Sequence, residues 1–511
     1  MIPLPLRGLM LDAARLVESL DYYRRFVDFC ADWEINAVIF RLTDDQGCAM
    51  RFCSHPELVT HANALTPAEV SGLAQYAAQR GVALIPEIES LGHSRYITRT
   101  AEHADLNDQD AHGPDWANAL IPLHPQSMRI LGDLYEEVAD IFPSCYLHAG
   151  CDETNWGGSV FSRQLLATRS RAQVWGEHLN ALQAKIQALG REMIVWDDMV
   201  LRHDSTILDQ LDRRIILHDW EYAGTDPAPV ASRQALAQEK GFRVLGGPAL
   251  CWCKWGPRVG QEQLRNIDAY ADVYRACDNP RALGVIVTNW VPSRYLQRAI
   301  WDGLSYAAVA LTDGSARAQE SALPRFVERH YGAPWDERWA DVFTTVCGYA
   351  PTRQGNLPCP LIVPWSSDRE LEQAVTDEDV VSSLPFATLL EHLDALEMCV
   401  RRNHADFVAF RLSVAYLAHL YWRHAAVRGC AGKELAAVLG EVARRDQALA
   451  AELDVDWRAG RSGDPTAGAD EAGTWALDPE DRLHGQFLAA ARFSAARARD
   501  LAIASADRGD G

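Results

Sequence analysis

Short β-branched apolar runs alternate with longer stretches of helical period through the first three-fifths of the chain. Runs at residues 8–11, 37–42, 83–89, 146–150, 193–197, 214–220, 243–247 and 284–290 read as strands. Between them, apolar positions recur every three or four residues over 22–33, 67–80, 126–142, 171–189 and 261–276, predicting amphipathic helices. The punctuation agrees with this division. Thr66 precedes Pro67 and stands three residues before Glu69, the pattern of a capping box with proline in the first turn. Gly81 and Gly190 each follow a helix and precede a strand, where a left-handed C-cap is wanted. Eight strands alternating with helices over about 300 residues predict an α/β fold, a (β/α)8 barrel. A doubly wound sheet would share the alternation, but no glycine-rich phosphate loop follows the first strand.

From about residue 315 the strand signals stop. Residues 384–403, 405–427, 433–453 and 486–504 read as long amphipathic helices, and 459–475, rich in Gly, Asp and Ala, as a surface loop. The expected organisation is a catalytic barrel over 1–314 and an all-helical C-terminal domain over 315–511. The second reads as a packing module, and as the surface through which a homo-oligomer would form.

Composition narrows the partners. The chain has 511 residues with 49 Lys and Arg against 70 Asp and Glu, a formal net charge of −21. Such a balance argues against nucleic acid, whose phosphates need cationic neutralisation, and against an anionic membrane surface. The first dozen residues contain no apolar signal-peptide core and no run of 18 apolar residues follows, so a cytoplasmic location is expected. The 12 cysteines form no CxxC pair and read as reduced thiols, without a disulfide framework or a metal site. The 16 tryptophans point toward sugars, because an indole covers the apolar face of a pyranose ring.

Polar residues gather where a barrel keeps its chemistry, at the carboxyl ends of the strands. In order these are Asp12, then Thr43-Asp44-Asp45-Gln46, Glu87, Glu89 and His93, and then His148, Asp152 and Glu153. They continue with Trp196-Asp197-Asp198, Asp219-Trp220-Glu221 and Asn289-Trp290. Carboxylates and indoles around one mouth suit a neutral polyhydroxylated ligand; a phosphorylated one would call for Arg, Lys or backbone nests. No HxH or HxxxH pair marks a metal hydrolase, so neither metal nor cofactor is expected.

These residues resemble the catalytic barrel of family 20 glycoside hydrolases, the β-N-acetylhexosaminidases. The pattern of that family answers to Arg7–Asp12, to Thr43–Gly47, to Pro86–Ser94, to His148–Glu153 and to Trp196-Asp197-Asp198, over about residues 6–310. The first strand starts so near Met1 that the N-terminal α+β domain of many members is expected to be missing. The resemblance implies hydrolysis with retention and without a protein nucleophile, the substrate's 2-acetamido oxygen attacking the anomeric carbon. Glu153 would be the general acid and base, Asp152 would orient the acetamido group, and Asp44 and His93 would support Glu153. Arg7 would hold ring hydroxyls, Trp196, Trp220 and Trp290 would wall the sugar, and His148, Asp197 and Trp252 would complete the binding set. Adjacent strand residues point to opposite sides, so Asp152 and Glu153 reach two atoms of one sugar only at a strand end.

Three positions depart from the family pattern. Strand 8 reads Trp290-Val291-Pro292 where a W-x-E is usual; strand 7 lacks its tyrosine, with Trp252 or Lys254 as substitutes; and strand 3 carries Glu89 and Leu91 for Asp and Pro. They leave the preferred hexosamine open, with two alternatives beside it: an amino-sugar-binding barrel without turnover, or a glycosidase for sugars lacking the acetamido group. A metal-dependent hydrolase using His93, His148 and Asp152 is a third.

Overall fold

A strand buried on both faces needs apolar residues on both sides, and the runs at 37–42 and 193–197 supply them. In the computed structural model, which describes residues 4–112, 118–251, 260–292, 295–348, 371, 384–461 and 486–507, these and six further runs form a closed parallel barrel. Along the chain the strands are β1 (Leu6–Leu11), β2 (Ala37–Arg41), β3 (Thr43–Asp44), β4 (Gly47–Met50), β5 (Thr60–Leu65), β6 (Ala83–Glu87), β7 (Tyr146–His148), β8 (Glu192–Trp196), β9 (Ile216–Trp220), β10 (Arg243–Gly247), β11 (Ala249–Cys251) and β12 (Ala282–Asn289). The barrel order is β1-β2-β6-β7-β8-β9-β10-β12, and β12 returns to β1 with Leu6 opposite Gly284 and Leu9 opposite Val287. The helices of this region are α1 (Leu20–Asp32), α2 (Pro67–Gln79), α3 (Arg95–Thr98), α4 (Pro125–Ile141), α5 (Val160–Leu166), α6 (Arg171–Ala188), α7 (Pro227–Glu239) and α8 (Gln261–Ala276). The fold is thus the expected (β/α)8 barrel.

The local signals act as their chemistry predicts. The Thr66 hydroxyl accepts from the Glu69 N–H while the Glu69 carboxylate accepts from the Thr66 N–H, a reciprocal cap that stabilises a helix start by about 1 kcal/mol. Gly81 and Gly190 take φ of +73° and +71°.

Differences from the sequence expectation lie at the mouth. Strands 3 and 4 end at Glu87 and His148, two residues early, because the chain turns there to present Glu89, His93 and Glu153. Residues 43–46 are more than a strand end. Thr43 and Asp44 pair antiparallel with Cys48 and Gly47, and the resulting β3-β4-β5 sheet makes a rigid excursion between β2 and α2.

The chain divides into two compact units, one of residues 1–252, 262–290 and 306–319, the other of 253–261, 291–305 and 320–511. The second is helical, with Leu384–Glu397, His404–Ala426, Gly432–Gly460 and Gln486–Asp507 among its elements. Its core packs Val427, Leu439, Val442, Ala498 and Leu501, beside a buried group in which Asp446 accepts from Arg423 at 2.9 Å and lies 2.6 Å from His419. The loop expected at 459–475 lies, past Arg461, outside the described residues. No described helix is long and apolar enough to cross a membrane. Ten cysteines among the described residues are free thiols.

Candidate active site

The mouth is organised around one imidazole. His93 follows β6, is 4% exposed, and faces four carboxylates: Asp44 and Asp45 on its Nδ1 side at 3.6 and 3.5 Å, and Glu153 and Asp152 on its Nε2 side at 3.3 and 3.8 Å. Burial alone would drive the imidazole toward neutrality, but Asp44 and Asp152 override it and hold the pKa well above the ordinary value. Burial pushes the Glu153 carboxyl up, yet its hydrogen bond with His93, the His93 charge and Arg15 hold it below the usual range. The two share one ionic hydrogen bond, a proton reservoir beside a cleft.

Backbone geometry brings these groups together at a cost. His93 and Glu153 sit at φ of +45° and +46°, and Cys151 at +77°, in the left-handed region that non-glycine residues enter at about 1–3 kcal/mol each. Gly150 precedes them at +63°, where a Cβ would stand 2.1 Å from Glu89 Oε2. Only glycine lets the Glu89 carboxylate pass to accept from the Cys151 N–H at 3.0 Å. Asp198 Oδ2 accepts from the Glu153 N–H at 3.0 Å and fixes the turn from the other side.

Below this group lies a buried charge lattice. Arg41, wholly inaccessible, reaches Asp44 at 2.6 Å, Glu87 at 2.7 Å and Glu89 at 2.6 Å. Arg15 bridges Asp12 at 3.1 Å and Asp44 at 3.2 Å. Asp44 is lowered well below its ordinary value: burial opposes ionisation, and Arg15, Arg41 and His93 outweigh it. Glu87 goes the other way, to about 7, because burial and Asp152 exceed the help from Arg41. Both guanidinium groups lie against the Trp290 indole, with Cζ at 5.2 Å for Arg15 and 4.9 Å for Arg41.

Aromatic residues wall the opposite side. Trp196 stacks on His218 at 4.2 Å between centroids, lies 5.7 Å from Trp290, and donates its indole N–H to Glu87 at 2.8 Å. Trp290 donates to the Tyr222 hydroxyl at 2.8 Å, and Tyr222 packs on Trp220 at 4.7 Å. Asp197, fully buried, accepts from the Trp220 N–H at 3.2 Å; burial and neighbouring Asp219 raise its pKa well above normal. Burial and Asp152 lift Asp198 to about 7.

Asp44, His93, Asp152, Glu153, Trp196, Trp220, Trp290 and Asp197 thus converge as the sequence anticipated. His148 belongs to the layer beneath. It is fully buried, accepts from the Gly150 N–H at 3.0 Å, and packs against Trp196 and His218, supporting the wall without facing the cleft. Arg7 is corrected. It begins β1, four residues or about 13 Å of strand below Leu11, and donates to the carbonyls of Leu4 and Glu34 at the amino-terminal end of the barrel. The arginine at the mouth is Arg15, three residues past Asp12, where a side chain beyond the strand end can turn back over the opening. Sequence reasoning also missed Arg41 and Tyr222; an arginine inside an otherwise apolar strand was the available signal for the first. Trp252 and Lys254 lie outside the described residues. Asp44, Asp45 and His93, and likewise His93, Asp152 and Glu153, bring donor atoms within 4.8 Å of one another, with His93 common to both sets.

Residues 4–278 match the model for the glycosyl hydrolase family 20 catalytic domain. A β-hexosaminidase of Vibrio furnissii is 28% identical over 246 residues, covering 42% of this chain and 39% of that protein. One from Akkermansia muciniphila is 28% identical over 208 residues, 36% of this chain and 42% of that protein. The chain therefore spans about two-fifths of the length of these relatives. Among solved structures, the chitobiase of Flavobacterium johnsoniae aligns over 86% of this chain and 75% of its own, with TM-score 0.50 and 16% identity, a likeness of fold. With the family model covering more than half of the 511 residues, and its match running through the strands that carry Asp44, His93, Asp152 and Glu153, the chain belongs to glycosyl hydrolase family 20.

Proposed function

We propose that the protein hydrolyses terminal β-linked N-acetylhexosamine, GlcNAc or GalNAc, with retention and with the substrate's own acetamido group as nucleophile. The observation that carries this reading is the pairing of Glu153 with His93 beside Asp152, in a barrel mouth that also holds the Trp196 and Trp290 indoles 5.7 Å apart. In the first step the acetamido oxygen bonds to the anomeric carbon as the bond to the leaving oxygen breaks. That oxygen takes a proton from the Glu153–His93 pair through Glu153. Asp152 stabilises the positive charge growing on the acetamido nitrogen. In the second step water attacks the anomeric carbon, gives its proton back to Glu153, and opens the oxazolinium ring. Two of the three departures from the family pattern have local answers. Arg15, against the far face of Trp290, is placed to hold ring hydroxyls that a strand-8 glutamate would otherwise bind. Tyr222, two residues past Trp220, brings a phenol to the aromatic wall where strand 7 lacks one.

The test is a panel of 4-nitrophenyl N-acetyl-β-hexosaminides and their non-acetamido counterparts, run with wild type and Glu153→Gln, with a thiazoline analogue of GlcNAc as inhibitor. Release of nitrophenol from acetamido sugars, lost in Glu153→Gln and blocked by the thiazoline, is expected. Binding of amino sugars without any Glu153-dependent release would replace this reading with that of a sugar-binding barrel.

A further inference from the structure

A second histidine–carboxylate group lies outside the mouth, in segments far apart in sequence. His55 and Glu57 stand between β4 and β5, His103 follows α3, and α4 contributes Gln126 and Asp133. Glu57 Oε1 sits between two imidazoles, 2.8 Å from His55 Nδ1 and 2.9 Å from His103 Nε2. Each distal nitrogen has its own partner: His55 Nε2 is 3.0 Å from Asp133 Oδ2, and His103 Nδ1 is 3.2 Å from the Gln126 amide. The His55 and His103 side chains are 11% and 8% exposed.

The arrangement conflicts with the chemistry of neutral imidazole. One N–H cannot serve two carboxylates, yet His55 has a carboxylate oxygen at both nitrogens. A cation beside Nδ1 resolves the conflict: Nδ1 turns its lone pair to the ion, Nε2 keeps its proton for Asp133, and Glu57 becomes a ligand instead of an acceptor. Asp133 behind His55 is the outer-shell acceptor that metal sites use to fix tautomer and ring orientation, and the Gln126 amide, which now turns its Nε2 to His103 Nδ1, serves the same way once flipped to present its oxygen. From this geometry we propose that His55 Nδ1, His103 Nε2 and a Glu57 carboxylate oxygen bind a divalent transition ion, zinc being the best match to two imidazoles and a carboxylate, with water in the fourth position. The three donor atoms already lie within 4.8 Å of one another. Tetrahedral zinc with bonds of about 2.0–2.2 Å needs them roughly 3.3 Å apart, so the Glu57 oxygen draws back from each nitrogen by about half an ångström and the two nitrogens, within 4.8 Å, settle to the same spacing. Binding displaces the protons now shared with Glu57.

The ion would tie the β3-β4-β5 excursion, which carries Asp44 and Asp45, to the segment after α3 and to α4. The same junction is already pinned where Glu137 accepts from the Cys53 and Ser54 N–H groups at 2.8 and 3.0 Å. The role is therefore structural, distinct from the mouth and independent of the hydrolytic reading.

The test strips the full-length protein with chelator and titrates it with zinc and with cobalt(II). Metal content, the cobalt visible spectrum and the thermal midpoint are followed. The expected result is one ion per chain with a tetrahedral nitrogen–oxygen cobalt spectrum, retained in His93→Asn and lost in His103→Gln and Glu57→Gln. Zinc should raise the midpoint of wild type only, and Asp133→Asn should weaken binding about 10- to 100-fold. If His103→Gln does not fold, the wild-type cobalt spectrum and the Asp133→Asn affinity decide. Wild type that holds no ion after dialysis, or binding lost with His93 and kept without His103, overturns the proposal.

Discussion

Two histidine–carboxylate groups in the same barrel are built with inverted stoichiometry. At the mouth, one imidazole, His93, answers to four carboxylates; on the flank, two imidazoles share one carboxylate oxygen, Glu57 Oε1, and a second carboxylate, Asp133, stands behind only one of them. An excess of negative charge around a single ring keeps that ring protonated and makes it a proton store. An excess of ring nitrogens around a single carboxylate leaves lone pairs without protons to share, and a cation completes the set. The same residue types give opposite chemistry because the ratio of donors to acceptors decides which ion is welcome, a proton or a metal.

The widest separation between the two groups is in turnover. His93→Asn removes the partner of Glu153 and is expected to lower kcat by roughly 10²–10⁴-fold, read as nitrophenol release. His103→Gln, on the flank, is expected to keep kcat within a fewfold and to change zinc content and thermal midpoint instead. Equal losses of kcat in the two variants would erase the distinction.

Next in size is the charge lattice under the mouth. Arg15→Met leaves Asp12 and the buried Asp44 short of a partner and should destabilise the fold by roughly 3–5 kcal/mol in denaturant melts, with a raised KM. Arg7→Met, at the other end of the same strand, removes donors to two carbonyls and should cost about 1 kcal/mol with KM unchanged. A KM effect from Arg7 would return it to the sugar site.

Smaller is the phenol. Tyr222→Phe removes one hydrogen-bonding group from the aromatic wall and should reduce kcat/KM about tenfold on acetamido substrates while leaving the fold intact. An unchanged kcat/KM would take Tyr222 out of the sugar pocket.

The smallest effect is in pH. Asp198 has an ordinary pKa of 3.8 and is raised to about 7 by burial and Asp152. Between those values the folded protein holds a proton that the unfolded chain releases. Its contribution is full below about pH 4 and is lost as pH rises through 7. The thermal midpoint of wild type should fall across that window, and Asp198→Asn, whose amide oxygen still accepts from the Glu153 N–H, should flatten the slope by a few °C.

Much of this was legible in the sequence, for identifiable reasons. The barrel could be read because each strand is a short apolar run and each helix repeats every three to four residues. The mouth could be read because chemistry at a barrel rim clusters just after strand ends, where Asp152-Glu153 and Asp44-Asp45 stand as adjacent pairs. Arg7 misled because it flanks the same strand as Arg15, and which flank faces the cleft depends on chain direction and on a turn past Asp12. His55 and His103 carry no shared spacing at all; forty-eight residues separate them, and only tertiary packing brings both to Glu57. The raised pKa values of Asp198 and Glu87 could not be read from the sequence, since burial, which raises both, is not a local property.

Arg41 has one further consequence. A guanidinium does not give up its proton in water, and here three carboxylates raise its pKa further against the opposing effect of burial. Arg41 therefore places a fixed positive charge among the carboxylates beneath the cleft. Acid can silence the carboxylates around it one by one, and base can discharge His93, but the reference point against which they titrate stays fixed. The working range of the cleft is thus bounded by its acids and a single imidazole, and its lower edge can be retuned by substitutions that never touch a sugar.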